Sequence, residues 1–275
     1  MQKPPRDHWP LPLAGTSAAS ERARAAFVAA AASAAPALIV ADRGLDPESI
    51  ARAIHERSRP GTPFTVFDCA ASDAPDVERG LFGTRPRAEA GAALDVIGSS
   101  SALLRARGGT LHLKNILDLP AAAQRRLARV LRDQEITVTG RRVPLRARII
   151  GHAPGSVAAE VGDGHFRSDL FRRLSQTCIA VPPLQDRPED IPAFAHRIAA
   201  SLRNGKAPAF TQAALTVLSA PAWPGNLDEL HAVLDRVLSA APTGSIRQED
   251  VLAHLPIDGA FTRIAPQVSL REARR

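Results

Sequence analysis

Short apolar runs alternate with longer amphipathic stretches over the first two thirds of the chain. Ala37-Leu38-Ile39-Val40 is an unbroken apolar run of strand length, and Pro63 to Phe67, Gly108 to Ile116 and Arg146 to Gly151 repeat the pattern. Between them lie helical signals. Ser20 to Ala35 is an alanine-rich stretch that reads as a helix capped by Ser20 and stopped by Pro36. Asp46-Pro47-Glu48 supplies an N-cap, a proline at the first helical position and an early acid, and predicts a helix through about Glu56. Ala121 to Arg132 is helical, with Leu127, Val130 and Leu131 on its buried side. Strands and helices alternating at this length predict an α/β fold, a parallel sheet with helices on both faces. Beyond Pro188 the strand signals stop. Ile191 to Arg203, Thr211 to Ser219, Leu227 to Ala240 and Gln248 to His254 then predict a small helical bundle. A Pro-rich opening, 1 to 15, and a polar, basic end from Ile257 to Arg275 flank these segments, and no internal repeat is visible.

Composition narrows the function classes. The chain carries 35 Lys and Arg against 28 Asp and Glu, a net charge of +7. Only Lys3, Lys114 and Lys206 are lysines, so the basicity is arginine, and it reads as solvated helix faces rather than a dedicated nucleic-acid groove. Tyr is absent and aromatics are 4% of residues, which leaves little to stack on bases. Cys69 and Cys178 are too far apart in sequence to suggest a disulfide framework or a metal site, and fit buried thiols in a reducing cytoplasm. His55, His112 and His152 lie at element edges without ligand spacing, so no metal is expected. Ala25 to Val40 lacks the sustained hydrophobicity of a membrane span, and Met1 to His8 leads into no signal-peptide core. The expected location is cytoplasmic.

The chemistry turns on Gly108-Gly109-Thr110-Leu111-His112-Leu113-Lys114-Asn115-Ile116. In a nucleotide-hydrolysing P-loop protein, such a strand ends on one carboxylate that holds Mg²⁺ and another acid that polarises the attacking water. Lys114 would repel the metal, and Asn115 cannot take a proton. The surrounding landmarks run Ala51-Arg52-Ala53-Ile54-His55, Pro63-Phe64, Cys69-Ala70-Ala71 and Leu81-Phe82-Gly83. Beyond the strand come Leu119-Pro120, Arg129-Val130-Leu131, Arg148-Ile149-Ile150, Phe166-Arg167, Asp169-Leu170, Arg173-Leu174, Pro188-Glu189-Asp190-Ile191-Pro192 and Trp223-Pro224-Gly225-Asn226.

In this order they resemble, from about Leu13 to Leu255, the central AAA+ domain of bacterial enhancer-binding proteins, the NtrC-like activators of sigma-54 RNA polymerase. The resemblance implies a P-loop-type parallel sheet with flanking helices and a C-terminal helical lid. It divides the chain into a lead-in at 1–12, an α/β subdomain at 13–185, a lid at 186–256 and a tail at 257–275. Ser269 to Arg275 is similar to the opening of the Fis-type DNA-binding region that ends family members. No helix-turn-helix follows it, so autonomous sequence-specific DNA binding is not expected. No sensory domain is expected in the short lead-in.

Carried over residue by residue, the family's nucleotide site falls on altered positions. The glycine-rich phosphate loop corresponds to Ala41-Asp42-Arg43-Gly44-Leu45-Asp46-Pro47. Only Gly44 remains of its glycines, Pro47 stands where the phosphate-binding lysine belongs, and Asp42 and Asp46 put negative charge where triphosphate would lie. Arg43 is either an anion holder at the helix start or part of an ordinary strand-turn-helix joint. The asparagine that senses the γ-phosphate is replaced by Pro154, and the lid arginine by Asp228. Asp118 either caps the helix after Pro120 or faces solvent. These changes predict a pseudo-ATPase without catalytic residues or cofactor; ATP with Mg²⁺ is expected only if the altered loop still binds it.

Two further sites follow from the resemblance. Arg167 and Arg173 occupy the positions that reach a neighbouring subunit's γ-phosphate, which implies homologous AAA+ subunits in an oligomer; the alternative is that they pair with Asp163 and Asp169. The loop that touches sigma-54 corresponds to Arg87-Ala88-Glu89-Ala90-Gly91-Ala92. Glu89 replaces its phenylalanine anchor and Ala90 its threonine, so sigma-54 contact is expected to be weakened. The expectation is a transcription regulatory protein acting through protein contacts rather than hydrolysis. A divergent ATP-binding sigma-54 activator and a non-functional remnant are the alternatives.

Overall fold

The computed structural model describes residues 9–70, 73–83, 97–205, 208–240 and 244–255. They form two compact units, Arg22–Val181 and the described parts of Met1–Glu21 with Pro182–Arg275.

The first unit is built on a five-stranded sheet ordered β2-β3-β6-β1-β7, every pairing parallel. The strands are β1 (Ala37–Val40), β2 (Phe64–Asp68), β3 (Thr110–Lys114), β6 (Arg148–Ala153) and β7 (Cys178–Ala180). Central strands of such a sheet are covered on both faces and read as near-continuous apolar runs, which is why β1 was visible in the sequence. Helices α2 (Pro47–Ser58), α3 (Ala74–Phe82), α4 (Ala102–Arg105), α5 (Ala121–Asp133), α6 (Val157–Gly162) and α7 (Ser168–Leu174) accompany it. Leu111, Leu113 and Ile149 meet Val77, Leu81, Leu103, Leu127, Val130, Leu170 and Leu174 in one buried cluster. A two-stranded antiparallel hairpin, β4 (Glu135–Val138) with β5 (Arg141–Pro144), stands between α5 and β6.

Three expectations need correction. Helix α1 spans Ala18–Ala32, not Ser20 to Ala35, and Ser20 does not cap it: its hydroxyl is buried and donates to Asp190 at 2.7 Å. The helix ends before Pro36 because Ser33 Oγ accepts the Ala35 N–H at 3.0 Å, a local side-chain bond that competes with the helical one. His112 lies in mid-strand and is fully buried rather than at an element edge, and burial lowers its pKa to about 4. Cys178 is exposed on the sheet's edge strand; Cys69 is buried as expected, and burial pushes its thiol up.

Two internal polar devices hold this unit. Arg148 is 2% exposed and donates to the carbonyls of Ala30 and Ala35 at 2.8 and 2.9 Å and to Ser58 Oγ at 3.2 Å. It therefore ties the end of α1 to the start of β6, and burial, with the nearby charge of Arg59, lowers its pKa to about 10. Arg126 donates to Glu78 at 2.9 Å with both side chains under 5% exposed, and its guanidinium lies 4.1 Å from the Phe82 ring centroid. Removing one partner of a buried ion pair strands the other charge, so Glu78→Ala is expected to lower stability by about 3–5 kcal/mol in a denaturant titration.

Helix α3 ends at a neck. Gly98 N–H donates to the Phe82 carbonyl at 2.7 Å, and a Cβ on Gly83 would lie 2.8 Å from Gly98 Cα, so the backbone at Gly83 and at Gly98 approaches too closely for side chains. The loop Arg87 to Ala92 singled out in the sequence lies outside the described residues.

The second unit contains α8 (Ile191–Leu202), α9 (Gln212–Ser219), α10 (Asn226–Ala240) and α11 (Gln248–Leu252). Trp223 is buried and its Nε1–H donates to the Leu218 carbonyl at 2.9 Å, just before the turn that starts α10. Asp190, fully buried, accepts from the backbone of Thr16 and Ser17 and from the hydroxyls of Ser17 and Ser20. A Cβ on Gly15 would fall 2.1 Å from Asp190 Oδ2, so only glycine lets the segment wrap the carboxylate this closely. Arg187 completes the cluster, donating to the Pro12 carbonyl at 2.7 Å and Ser20 Oγ at 3.0 Å. Among the described residues, no helix is long and apolar enough to cross a membrane.

Candidate functional site

Parallel strands deliver all their carboxyl ends to one edge of the sheet, where ligands of open α/β sheets bind. At that edge the structure gathers the ends of β1, β2, β3 and β6, and with them Asp42, Asp68, Lys114, Asn115, His152 and Pro154. The register sets Asp68 directly beside Lys114 and His152 beside Ile39.

The joint from β1 to α2 is ordered by its own acids. Gly44 takes φ +81°, which glycine tolerates, and Asp46 caps α2 from the left-handed region, accepting the Ser49 N–H at 3.3 Å. Pro47, the first helical residue, has no N–H to offer. Asp42 accepts the Gly155 N–H at 2.8 Å, past the end of β6. Backbone donors that could face an anion are thus absent or already taken at three positions. Arg43 is exposed beside this joint.

At the end of β3, Lys114 Nζ lies 3.7 Å from Glu48 Oε2, and Arg52 bonds the other oxygen of Glu48 at 3.0 Å. The acid in the first turn of α2 therefore sits between two cations. Asn115 takes φ +53° and its side-chain amide donates to Asp68 Oδ1 at 2.9 Å. Its backbone N–H donates to His152 Nδ1 at 3.3 Å, which leaves the proton on Nε2, donated to the Ala41 carbonyl at 3.1 Å. Burial lowers the His152 pKa, the Ala41 bond opposes that and the charge of Lys114 adds to it, so the ring is neutral at physiological pH. Its two bonds clamp β3, β6 and the exit of β1 together. Asp118 lies in a short turn, exposed, and makes no cap for α5, whose start carries no side-chain cap bond.

The residues at the end of β3 differ from those that a Mg²⁺-nucleotide complex calls for at such a strand end. Lys114 brings an ammonium to the strand end that would need a metal-holding carboxylate, and Asn115 spends its amide on Asp68. Among the described residues no group of three or more His, Cys, Asp or Glu side chains gathers to hold a metal.

The remaining sequence-predicted residues stand apart from this edge. Arg167 makes a bidentate pair with Asp169, at 2.9 and 2.8 Å, just before α7, and its backbone N–H donates to Gln124 Oε1 at 3.0 Å. Arg173, on α7, is half-buried and bonds to no described carboxylate within salt-bridge distance. Asp228 is exposed in the first turn of α10, in the other unit. Sequence reasoning missed Glu48, Arg52, Asp68 and His152 as partners of the altered positions. Asp68 was detectable in principle, as the acid ending the strand before Cys69; the tautomer and bonds of His152 were not.

Comparison with known proteins agrees with this architecture. Residues 13–180 match the sigma-54 interaction domain and residues 185–260 the AAA+ ATPase lid domain. The chain is similar to the DNA-binding transcriptional regulator NtrC of Rhizobium meliloti, 34% identical over 244 residues, covering 87% of this chain and 50% of that protein. It is 37% identical to the transcriptional activator HyfR of Escherichia coli over 236 residues, covering 82% of this chain and 35% of that one. Against the crystal structure of NtrX from Brucella abortus in complex with ATP, the TM-score is 0.72 at 31% identity, covering 94% of this chain and 60% of that one. The Thermotoga maritima RuvB branch migration motor shares the fold at a TM-score of 0.57 and 16% identity, over 86% of this chain and 67% of that one. The chain spans about half the length or less of these two regulators.

Proposed function

The chain belongs to the sigma-54-dependent activator family of AAA+ proteins, and on that premise we propose that it is a regulatory subunit acting through protein contacts, without hydrolysing ATP. The observation that carries this reading is the pair of contacts at the end of β3. Lys114 faces Glu48 and Asn115 faces Asp68, so each residue at the metal-holding and water-activating positions is engaged with a side chain of the opposite chemistry. Mg²⁺ held there would meet an ammonium, and β3 itself ends on no carboxylate that could take the water's proton, the nearby Asp68 and Glu48 being engaged by Asn115 and by Lys114 with Arg52. Pro47 and Asp42 support the same reading from the phosphate side, since one lacks an N–H and the other occupies one.

The functional surface is then the one by which AAA+ subunits meet. In this reading the partners are homologous subunits with intact nucleotide sites, and Arg167 and Arg173 are what this chain offers them. Contact with sigma-54 through Arg87, Ala88, Glu89, Ala90, Gly91 and Ala92 is weakened, because Glu89 would bring a charge to an apolar docking position.

The test is a calorimetric titration of the full chain with Mg²⁺-ATP, alongside a phosphate-release assay. The expected result is no sub-micromolar binding and no turnover above buffer. Turnover abolished by substituting Lys114 or Asn115 would overturn the reading.

A further inference from the structure

The net charge of the chain is concentrated in one stretch of the first unit. Residues 97–148 hold 11 of the 35 basic residues but only three of the 28 acids, Asp118, Asp133 and Glu135, a surplus of 8. Everything else holds 24 basic and 25 acidic residues and is close to neutral. The surplus is also at the surface: Arg105, Arg107, Arg141, Arg142 and Arg146 are all exposed.

The fold brings these side chains to one place, away from the edge where the β3 terminus lies. Val143 and Leu145 pack against the core, while Arg142, Pro144 and Arg146 between and beyond them are exposed. Arg142 and Arg146 are therefore presented on the same side of an extended segment, their Cα atoms at most ~13 Å apart at ~3.3 Å per residue. Gly108 N–H donates to the Arg146 carbonyl at 3.0 Å, which places Arg107 next to Arg146. Arg59 donates to the carbonyls of Gly109 and Arg146 at 3.0 and 3.4 Å, adding a further cation at the same junction. Local acids do not neutralise the group. Asp133 is bonded by Arg129 and Arg132, and Glu135 approaches Arg142 only to 4.0 Å. Behind them Arg148 is buried against carbonyls and a hydroxyl, so its charge adds to the field.

We propose that this arginine face, carried by the β4–β5 hairpin, the end of α4 and the entry to β6, docks the phosphate backbone of duplex DNA without reading its sequence. Planar guanidinium groups suit phosphate oxygens. A protein partner would call for an apolar centre, and this face exposes no large apolar side chain among the described residues. A single strand would call for stacking rings, and the face has none. The inference goes beyond the regulatory reading and does not depend on the state of the nucleotide site. It replaces the sequence-based reading of the basic residues as solvated helix faces, because Arg141 and Arg142 lie on a hairpin strand and Arg146 on the segment that follows it.

The experiment is fluorescence anisotropy of a labelled random-sequence DNA duplex titrated with the full chain at several salt concentrations. Binding should weaken with salt, with a log–log slope of about −3 to −4, corresponding to roughly four phosphates. Arg142→Glu with Arg146→Glu should weaken binding by at least about tenfold and reduce the slope by about two. Arg236→Glu with Arg247→Glu, the same charge change at exposed positions of the other unit, should change it less than about twofold. If the hairpin variant loses its far-ultraviolet circular dichroism, Arg105→Glu with Arg107→Glu serves in its place. Absence of salt-dependent binding by the unaltered chain, or equal losses in the two double variants, would overturn the proposal.

Discussion

Asp190→Ala should lower the stability of the lid-containing unit by about 3–5 kcal/mol, measured by denaturant titration of the full chain. The carboxylate is fully buried and accepts two backbone N–H groups, from Thr16 and Ser17, and two hydroxyls, from Ser17 and Ser20. Truncation leaves those donors facing a void and removes the negative charge beside Arg187, which is itself fully buried. Each lost partner costs about 1–3 kcal/mol when the group left behind is buried, and uncompensated charge is the costliest case. Asp190→Asn keeps the volume and one acceptor oxygen but not the charge, so its loss should be smaller. The pH dependence has a definite sign. Burial pushes the Asp190 pKa up, but the bonds from Ser17 and Ser20 outweigh burial and hold it below the ordinary carboxylate value. A folded-state pKa below the unfolded one contributes stability that is present above about pH 4 and is lost as pH falls through the folded value. Acid destabilisation below about pH 4 should therefore be shallower in Asp190→Ala than in the unaltered chain. Equal acid sensitivity in the two would show that other carboxylates control this transition.

The same residue shows where sequence reading stops. Pro188-Glu189-Asp190-Ile191-Pro192 was recognisable as a landmark, yet nothing in it said that Asp190 would be wrapped by residues 170 to 174 positions earlier. Ser20 was misread for that reason. A serine near a helix start is a good cap candidate by local rules, but a distant carboxylate claimed its hydroxyl instead. Strand β1 was legible because burial on both faces leaves an unbroken apolar run, and β3 and β6 because Leu111, Leu113, Ile149 and Ile150 stand out among their buried polar neighbours. Helices α3, α4, α6 and α7, the β4–β5 hairpin and β7 were not found. β7 has only three residues, and each arm of the hairpin has four, too few for a periodic signal to stand out, although Ile136 and Val138 do alternate with Thr137 and Thr139 before the turn at Gly140. At the candidate site the substituted positions were readable one by one. Their new partners were not, because Glu48, Asp68 and His152 reach Lys114 and Asn115 only after the parallel register has aligned the strand ends.

That limit bears on the two arginines, where the sequence offered equal readings and the geometry separates them. Arg167 is engaged with Asp169 through two bonds, and Asp169 bonds the Leu170 N–H as well, so freeing Arg167 means breaking a local network. Arg173 has no such tie among the described residues. If this chain supplies an arginine to a neighbour's nucleotide, Arg173 is the one free to move there at low cost. Mixing the chain with an intact sigma-54 activator should change the activator's ATPase rate with a saturable dependence on concentration. An arginine provided in trans is worth ~10³ to 10⁵ in rate, so a mixed interface that carries it is detectable even as a minor species. Arg173→Ala should remove at least about nine tenths of that change, and Arg167→Ala distinctly less. Asp169→Ala should enlarge the change, because it releases Arg167 from its pair. An unaltered effect in Arg173→Ala, at unchanged thermal stability, would mean that the arginine serves the fold of α7 alone and that the subunit influences its relatives by another surface.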